Sequence, residues 1–557
     1  MTTPTQCPPP MTALAGQMMD MPLLVSELLK HTARHRGDVE IVTRRVEDNT
    51  LHRYTWRDCE RRARQLAQAL ARLGVKAGDR VGTLAWNTYR HLEAYYGVSG
   101  SGAVIHTINP RLFCEQLSFI VNDAQDGVVL FDITFAALVD TLAPQCPGVR
   151  HWVAMTDRAS MPDMATRIEC YEALVEAESG DYVWPELDER SACGLCYTSG
   201  TTGHPKGVLY SHRSNVLHAL SSAMPDGLGL SSRDTILPVV PMFHVNAWGI
   251  PYSGAAVGFK LVLPGRALDG ASLYELIESE KVTYTAGVPT VWLALLTYME
   301  QAGVRFSTLK RTLIGGSAMP AAMQDTFEQK YGVQAIHGWG MSETSPVATV
   351  CKLSAGLAGR SPQAQRATLR KQGHAVFGID MKIVDGDGRE LPWDGVAFGD
   401  LLVRGHAVCS RYFNHADSAL RDGWFPTGDV ATIDSDGYMQ ITDRSKDVVK
   451  SGGEWISSIE VENIAVAHPD VAEAACIAAH HAKWAERPLL VVVRKAGATV
   501  TRDELLKFYE GKVAKWWIPD EVVFVEEIPH TATGKVLKIK LRERFAEYLV
   551  QHAAASQ

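Results

Sequence analysis

The sequence predicts an α/β chain divided into at least two domains, and three observations carry that reading. At 557 residues it is too long for one hydrophobic core. Helix-like and strand-like apolar patterns take turns over most of its length, as crossover helices between parallel strands require. From about residue 375 the texture changes to short β-like pieces with tight turns, and after Asp443 a smaller part follows its own pattern.

Within residues 54–73, Leu66, Ala69, Leu70 and Leu73 recur at helical spacing, and "GVKAGDRVGTLAWN" then turns into a strand. "GAVIHTIN" reads as strand, "CEQLSFIVNDA" as helix and "GVVLFD" as strand. The rhythm continues through "KLVLPG", "SLYELIESEK", "VTYTAGV" and "TLKRTLIGG". "MKIVDGDGREL", "GDLLVRG" and "TIDSDGYMQIT" are the short β-like pieces. Beyond the boundary, "AEAACIAA" and "DELLKFYEGKVAKW" supply a strand and helix pattern, so the expected division is 1–442 and 443–557.

Charge narrows the partners. The 55 basic and 63 acidic residues leave a net −8 with no long basic block, which argues against nucleic acid or an anionic membrane and for a small soluble substrate. The N-terminal "MTTPTQCPPPMTALAGQMMDMPLL" has neither a charged region before an apolar core nor an Arg-rich character, so a cytoplasmic location is expected. The longest apolar stretch, "NAWGIPYSGAAVGFKLVLPG", is cut by Pro251, Lys260 and several glycines, which argues against a membrane span.

Ten scattered cysteines suggest reduced thiols. Cys193 and Cys196 have CxxC spacing, but no second Cys or His pair completes a zinc site and the pair lies in an apolar run, so a buried strand is expected. "DGDGRELPWDGV" has Arg389 and Val396 at its fifth and twelfth positions, where a calcium loop needs oxygen donors, and reads as a hairpin turn.

"YTSGTTGHPKG", Tyr197 to Gly207, joins freed backbone N–H groups, hydroxyls and Lys206 into a nest for phosphate oxygens. It lies between the apolar "CGLCY" and "VLYSHRSNVLHAL", so a strand, loop and helix are expected in that order. Gly200, Gly203 and Lys206 stand three apart and Gly207 follows the Lys, which is not the Walker A spacing; a P-loop phosphotransferase is the weaker alternative.

The stretch resembles the signature of the adenylate-forming superfamily of acyl-CoA synthetases, aryl-CoA ligases, luciferases and nonribosomal adenylation domains. Further motifs follow in that family's order: "PMFHVNAWG", "GGSAMP", "HGWGMSET", "DGWFPTGD", "DRSKDVVKSGGEWIS" and "PHTATGK". "MFHVNAW" and "KSGGEWIS" look most like the bacterial medium- and long-chain fatty acyl-CoA synthetases. The resemblance implies a large N-terminal α/β domain of layered sheets plus a small distorted β-barrel, and a smaller mobile α+β C-terminal domain. It also implies ATP, CoA and Mg²⁺. A carboxylic acid and ATP give acyl-adenylate and pyrophosphate, and the CoA thiol then displaces AMP.

The same resemblance distributes roles. Lys535 bridges the carboxylate and the α-phosphate during adenylation, where catalysis is mostly positioning plus electrostatics. Glu343 holds Mg²⁺ with Thr198 near the same ion, since Mg²⁺ commonly shares one carboxylate with phosphate oxygens and water. Ser199, Gly200, Thr201, Thr202, Gly203 and Lys206 continue the phosphate loop, and Ser342 keeps the hydroxyl of the Thr that most relatives carry. Trp339 offers a ring face to adenine, with Gly315, Gly316, His337 and Gly338 beside it, while Asp429 accepts from the ribose hydroxyls. His244 lies near the α-phosphate, Val245 near the nucleotide, and Trp248 gates the acyl tunnel. Arg444, Lys446 and Lys450 supply cations, with Lys446 as the hinge, and Gly452, Gly453, Glu454 and Trp455 line the pantetheine channel. Singly, each is an ordinary core or surface residue; the ordered set outweighs that reading.

"WGIPYSGAAVGF" and "YTAGVPTVWLALL" supply apolar groups for an acyl pocket, which a sulfur-bearing or short branched acid also fits. A carrier-protein-loading module, the second alternative, usually has an Asp near the position of His244, and no carrier domain follows. "MMDMPLLVSELLKH" resembles the segment through which related synthetases pair, so a homodimer is expected.

Overall fold

The computed structural model describes residues 16–198, 205–444, 447–451, 454–530 and 536–555. Its helices form where local signals and burial agree. The helix Trp56–Arg72 begins at a capping box in which the Thr55 hydroxyl accepts from the Asp58 N–H and the Asp58 carboxylate accepts from the Thr55 N–H. Its buried face runs through Trp56, Cys59, Ala63, Leu66 and Leu70, the spacing of one helical stripe. Burying each of the two leucines stabilises the fold by about 1.5–3 kcal/mol.

Two large sheets carry the N-terminal part. Among the described residues one has seven strands, all parallel to their neighbours until Ala192–Thr198 meets Lys206–Ser211 antiparallel. The other has nine, with a parallel centre that includes Thr235–Pro238, Tyr284–Gly287, Arg311–Ile314 and Gln334–Gly340. Helices Val25–His35, Trp56–Arg72, Tyr89–Gly100 and Ile250–Val257 contribute to one large apolar core, in which Trp56, Tyr95, Tyr96 and Tyr252 are fully buried. The apolar stretch around residue 250 is thus core, and no described helix is long and apolar enough to cross a membrane.

Where the resemblance implied a small distorted barrel, the described residues form a four-stranded antiparallel sheet, Ile379–Val384, Phe398–Gly405, Phe425–Ile433 and Met439–Arg444 in that order. The "DGDG" segment is a turn in it, its Asp385 Oδ1 accepting from the N–H groups of Asp387 and Arg389 at 2.9 Å each. After Asp443, five strands make a separate sheet around Val471–His481 and Ala485–Arg494, with the helices Ser458–Val466, Arg502–Phe508 and Lys538–Phe545 in the same region.

One expectation is corrected. The phosphate loop joins strand to strand: Cys196 pairs with Val208 and Thr198 with Lys206, and the helix begins only at His212. The alternating "KGVLYS" finds an open edge beside Ala192–Thr198 and pairs there, so a strand and not a helix follows the loop. In the segment proposed above to pair two copies, burial within the chain differs along its length. Met18, Met19 and Met21 are exposed, whereas Val25, Leu28 and Leu29 belong to the core.

Candidate active site

A cavity of about 610 Å³ collects the motifs. Parallel strands deliver their following loops to one edge, the usual ligand position in an open α/β sheet. Here Thr198 ends one strand, Gly315 and Gly316 follow Arg311–Ile314, and Gly338 to Met341 close Gln334–Gly340. Phe425 to Gly428 enter from the four-stranded sheet, and Arg444, Asp447, Val536, Leu537, Lys538, Ile539 and Arg542 complete the wall.

On one flank Glu343 sits in the short turn Ser342–Thr344 with only 7% of its surface exposed. Tyr412 Oη donates to Glu343 Oε1 at 2.8 Å, and Lys206 Nζ stands 4.9 Å from the centre of the Tyr412 ring. Burial first, and then the Glu343 charge, push the Tyr412 phenol well above its ordinary range, so it stays a donor. The Tyr210 hydroxyl donates to the Ser342 carbonyl at 2.8 Å and fixes the same turn from below. Thr198, Ser342 and Glu343 therefore present oxygen ligands beside a cation, a donor set that suits a hard divalent ion shared with phosphate.

On a second flank Trp339 Nε1 donates to Asp429 Oδ2 at 2.9 Å, and Arg444 Nε lies 3.3 Å from Asp429 Oδ1. The carboxylate is 6% exposed, held between the indole and the guanidinium. A Cβ on Gly315 would stand 2.9 Å from the Gly338 carbonyl, so any side chain there would push apart the two strands that frame the indole.

The third flank is apolar: Val245, Trp248, Leu313, Pro346 and Val347. Val245, Asn246, Ala247 and Trp248 all have positive φ, 41°, 58°, 47° and 56°, each costing about 1–2 kcal/mol for an L-residue. Asn87 braces the approach to this turn, donating to Pro238 and Val240 carbonyls at 2.9 Å and accepting from the Met242 N–H at 2.6 Å. Trp248 is 7% exposed, and its ring comes within 3.4 Å of where a Gly315 Cβ would be. His244, partly exposed, lines the cavity at the start of the turn.

The structure thus brings together Thr198, Lys206, His244, Val245, Trp248, Gly315, Gly316, Gly338, Trp339, Ser342, Glu343 and Arg444 as cavity wall, with Asp429 directly behind. It does not bring His337 there. That ring is fully buried, accepts from the Met319 N–H at Nε2 over 3.4 Å and reaches the Arg370 carbonyl from Nδ1 at 3.0 Å. Burial pushes its pKa down to about 4, so it is a neutral brace between backbone segments. Lys450 is likewise absent from the described wall; it lies in Val449–Ser451, where its N–H donates to Glu486 at 2.8 Å. Ser199, Gly200, Thr201, Thr202, Gly203, Lys446, Gly452, Gly453 and Lys535 lie outside the described residues, as do the side chains of Glu454 and Trp455.

The CxxC pair is the expected buried strand. Cys193 Sγ accepts from Asn215 Nδ2 at 3.2 Å, Cys196 Sγ meets Thr107 Oγ1 at 2.8 Å, and burial pushes the Cys193 thiol up to about 12. Among the described residues no three His, Cys, Asp or Glu side chains group as metal ligands. Sequence reasoning missed Tyr412, whose only signal was "RYF" in a stretch without a motif, and Lys538, a partly buried cavity-lining residue whose ammonium pairs with Glu462 at 2.7 Å.

Comparison with known proteins shows the family. The model of the AMP-binding enzyme family matches residues 29–413, and that of the AMP-binding enzyme C-terminal domain matches 460–535. The chain belongs to this adenylate-forming family. It is 53% identical to a 3-methylmercaptopropionyl-CoA ligase of Ruegeria lacuscaerulensis, over 96% of this chain and 100% of the relative. It is 50% identical to a medium-chain-fatty-acid–CoA ligase of Ectopseudomonas oleovorans, over 97% and 100%. Among solved structures, the anthranilate CoA ligase AuaEII in complex with anthranoyl-AMP superposes with a TM-score of 0.84 at 26% identity, over 96% of this chain and 99% of that one.

Proposed function

We propose that the chain is an AMP-forming acyl-CoA ligase acting on linear aliphatic acids, with medium- and long-chain fatty acids as its main substrates. The observation that carries this reading is the composition of the cavity that collects the motifs. Lys206, Glu343 and Thr198 form one flank, Trp339 and Arg444 another, and uncharged Val245, Trp248, Leu313 and Val347 the third. Those three surfaces match the phosphate, nucleoside and acyl parts of an acyl-adenylate.

In the first step a carboxylate oxygen attacks the α-phosphorus of ATP, the bond to pyrophosphate breaks, and acyl-adenylate forms. Lys206 and Lys535 hold negative charge that spreads over the phosphate oxygens, and His244 orients the carboxylate. Glu343 and Thr198 would hold Mg²⁺, which would neutralise charge on the phosphates. Asp429 takes the ribose hydroxyls while Trp339 bounds the purine. In the second step the CoA sulfur attacks the acyl carbon, its proton leaves to solvent, and the bond to AMP breaks.

Val536 and Leu537, next to Lys535, line the cavity, while the described residues of the 449–456 hairpin do not. This arrangement fits adenylation. Thioester formation then needs the part beyond residue 443 to turn about Lys446, bringing Gly452, Gly453, Glu454 and Trp455 to the pantetheine path. We further propose a cytoplasmic homodimer, with the exposed Met18 to Met21 stretch facing the second copy.

A sulfur-bearing acid, 3-methylmercaptopropionate, is the second reading, favoured by the 53% identity to a ligase of that name. Counting products tests the shared reaction. AMP and pyrophosphate in equal amounts, dependent on acid and CoA, are expected; ADP with a phosphorylated product would overturn the proposal.

A further inference from the structure

Tyr412 is a single side chain in contact with two motifs far apart in sequence. Its hydroxyl bonds Glu343 and its ring face supports the Lys206 ammonium. The backbone around it is tied to the same places: the Cys409 N–H donates to the Glu343 carbonyl at 2.7 Å, and the Phe413 N–H to the Gly207 carbonyl at 2.8 Å. Asn414 Nδ2 adds a bond to the Asp123 carbonyl at 2.9 Å, so the segment is anchored on both sides of the ring.

We propose that Tyr412 is a positioning residue for adenylation, setting the spacing between the Glu343 carboxylate and the Lys206 ammonium. A glutamate carboxylate turns about three side-chain bonds, and anchoring one oxygen fixes the direction of the other. A lysine paired with a carboxylate would have its charge neutralised. An aromatic face holds the ammonium while leaving its charge for phosphate oxygens. Tyr supplies both functions from one rigid ring, and Phe or Leu supplies one or neither. The inference rests on the reading of Glu343 as a magnesium ligand.

The test measures binding of α,β-methylene-ATP by calorimetry to the full chain, with Mn²⁺ and with chelator. Tyr412→Phe, which keeps the ring and its packing, should weaken Mn²⁺-dependent binding about tenfold, the loss of a hydrogen bond to a charged group, and leave metal-free binding within about twofold. Tyr412→Leu should also weaken metal-free binding, because the Lys206 seat is gone. In a Glu343→Gln background Tyr412→Phe should add no further loss, since the two act as one unit. If Glu343→Gln weakens Mn²⁺-dependent binding but Tyr412→Phe does not, or if the two losses simply add, Tyr412 is not a positioning residue and Glu343 keeps its role. If Tyr412→Leu leaves metal-free binding intact, the ring does not seat Lys206. If Glu343→Gln itself has no effect, the reading of Glu343 falls first.

Discussion

Asp443 and Ser458 are joined by two hydrogen bonds across residues 444–457: the Ser458 N–H donates to Asp443 Oδ2 at 2.6 Å and its hydroxyl to Oδ1 at 3.0 Å. Asp443 belongs to the strand Met439–Arg444, and Ser458 opens the helix Ser458–Val466. A carboxylate at a helix start is favoured by the exposed N–H groups there. The proposed turn about Lys446 would pull these two residues apart, so on that proposal the pair favours the arrangement described above. Asp443→Asn should slow acyl-adenylate formation about tenfold, as expected for weakening charged hydrogen bonds, and leave thioester formation from synthetic acyl-AMP within about twofold. Single-turnover assays of each step check this; equal slowing of both would contradict it.

The two half-reactions should separate more sharply at the chemistry itself. Lys535→Ala should abolish most adenylate formation while sparing attack of CoA on supplied acyl-AMP, because that step no longer needs the cation. Gly453→Trp should do the reverse by filling the thiol path. Equal losses in both steps for both variants would point to one fixed site.

Trp248 closes the apolar flank from a strained left-handed turn. Trp248→Ala should shift preference toward longer acids and change KM for the acid, with KM for ATP within about twofold, if the indole acts as the proposed acyl gate. An unchanged acid profile would make the ring a core residue.

Burial holds His337 near pKa 4, below the 6.5 of an exposed histidine. Between those values the unfolded chain binds a proton that the folded chain refuses, so this group makes stability fall as pH drops from about 6.5 to 4. His337→Gln keeps polar ends but does not titrate. Denaturant melts should show the variant losing less stability on acidification than the parent, by up to ~1.4 kcal/mol per pH unit. KM for ATP should stay within about twofold; a parallel pH profile, or a large rise in KM, would restore His337 to the nucleotide site.

Local signals carried much of the fold. "CEQLSFIVNDA" is the helix Cys114–Ala124, and the alternation of helix and strand became two sheets with parallel centres. What pairing across the chain decides was not legible. "KGVLYS" became a strand because Ala192–Thr198 offered an edge, and Tyr412 acquired its place through Glu343, 69 residues away. The motifs located most of the cavity wall, since loops at strand ends converge whatever their spacing. His337 misled because its motif neighbours face the cavity, whereas it pairs with Ile314 inside the sheet and its ring is buried.

The most direct test of the central claim is kcat/KM for CoA- and Mg²⁺-dependent AMP release across acetate, hexanoate, decanoate, palmitate, 3-methylmercaptopropionate, benzoate and cinnamate. An uncharged apolar flank closed by Trp248 predicts that hexanoate, decanoate or palmitate gives the highest value, with 3-methylmercaptopropionate above acetate and both aryl acids. A highest value for 3-methylmercaptopropionate would favour the second reading. A higher value for acetate, benzoate or cinnamate than for every linear aliphatic acid of the panel would contradict the account.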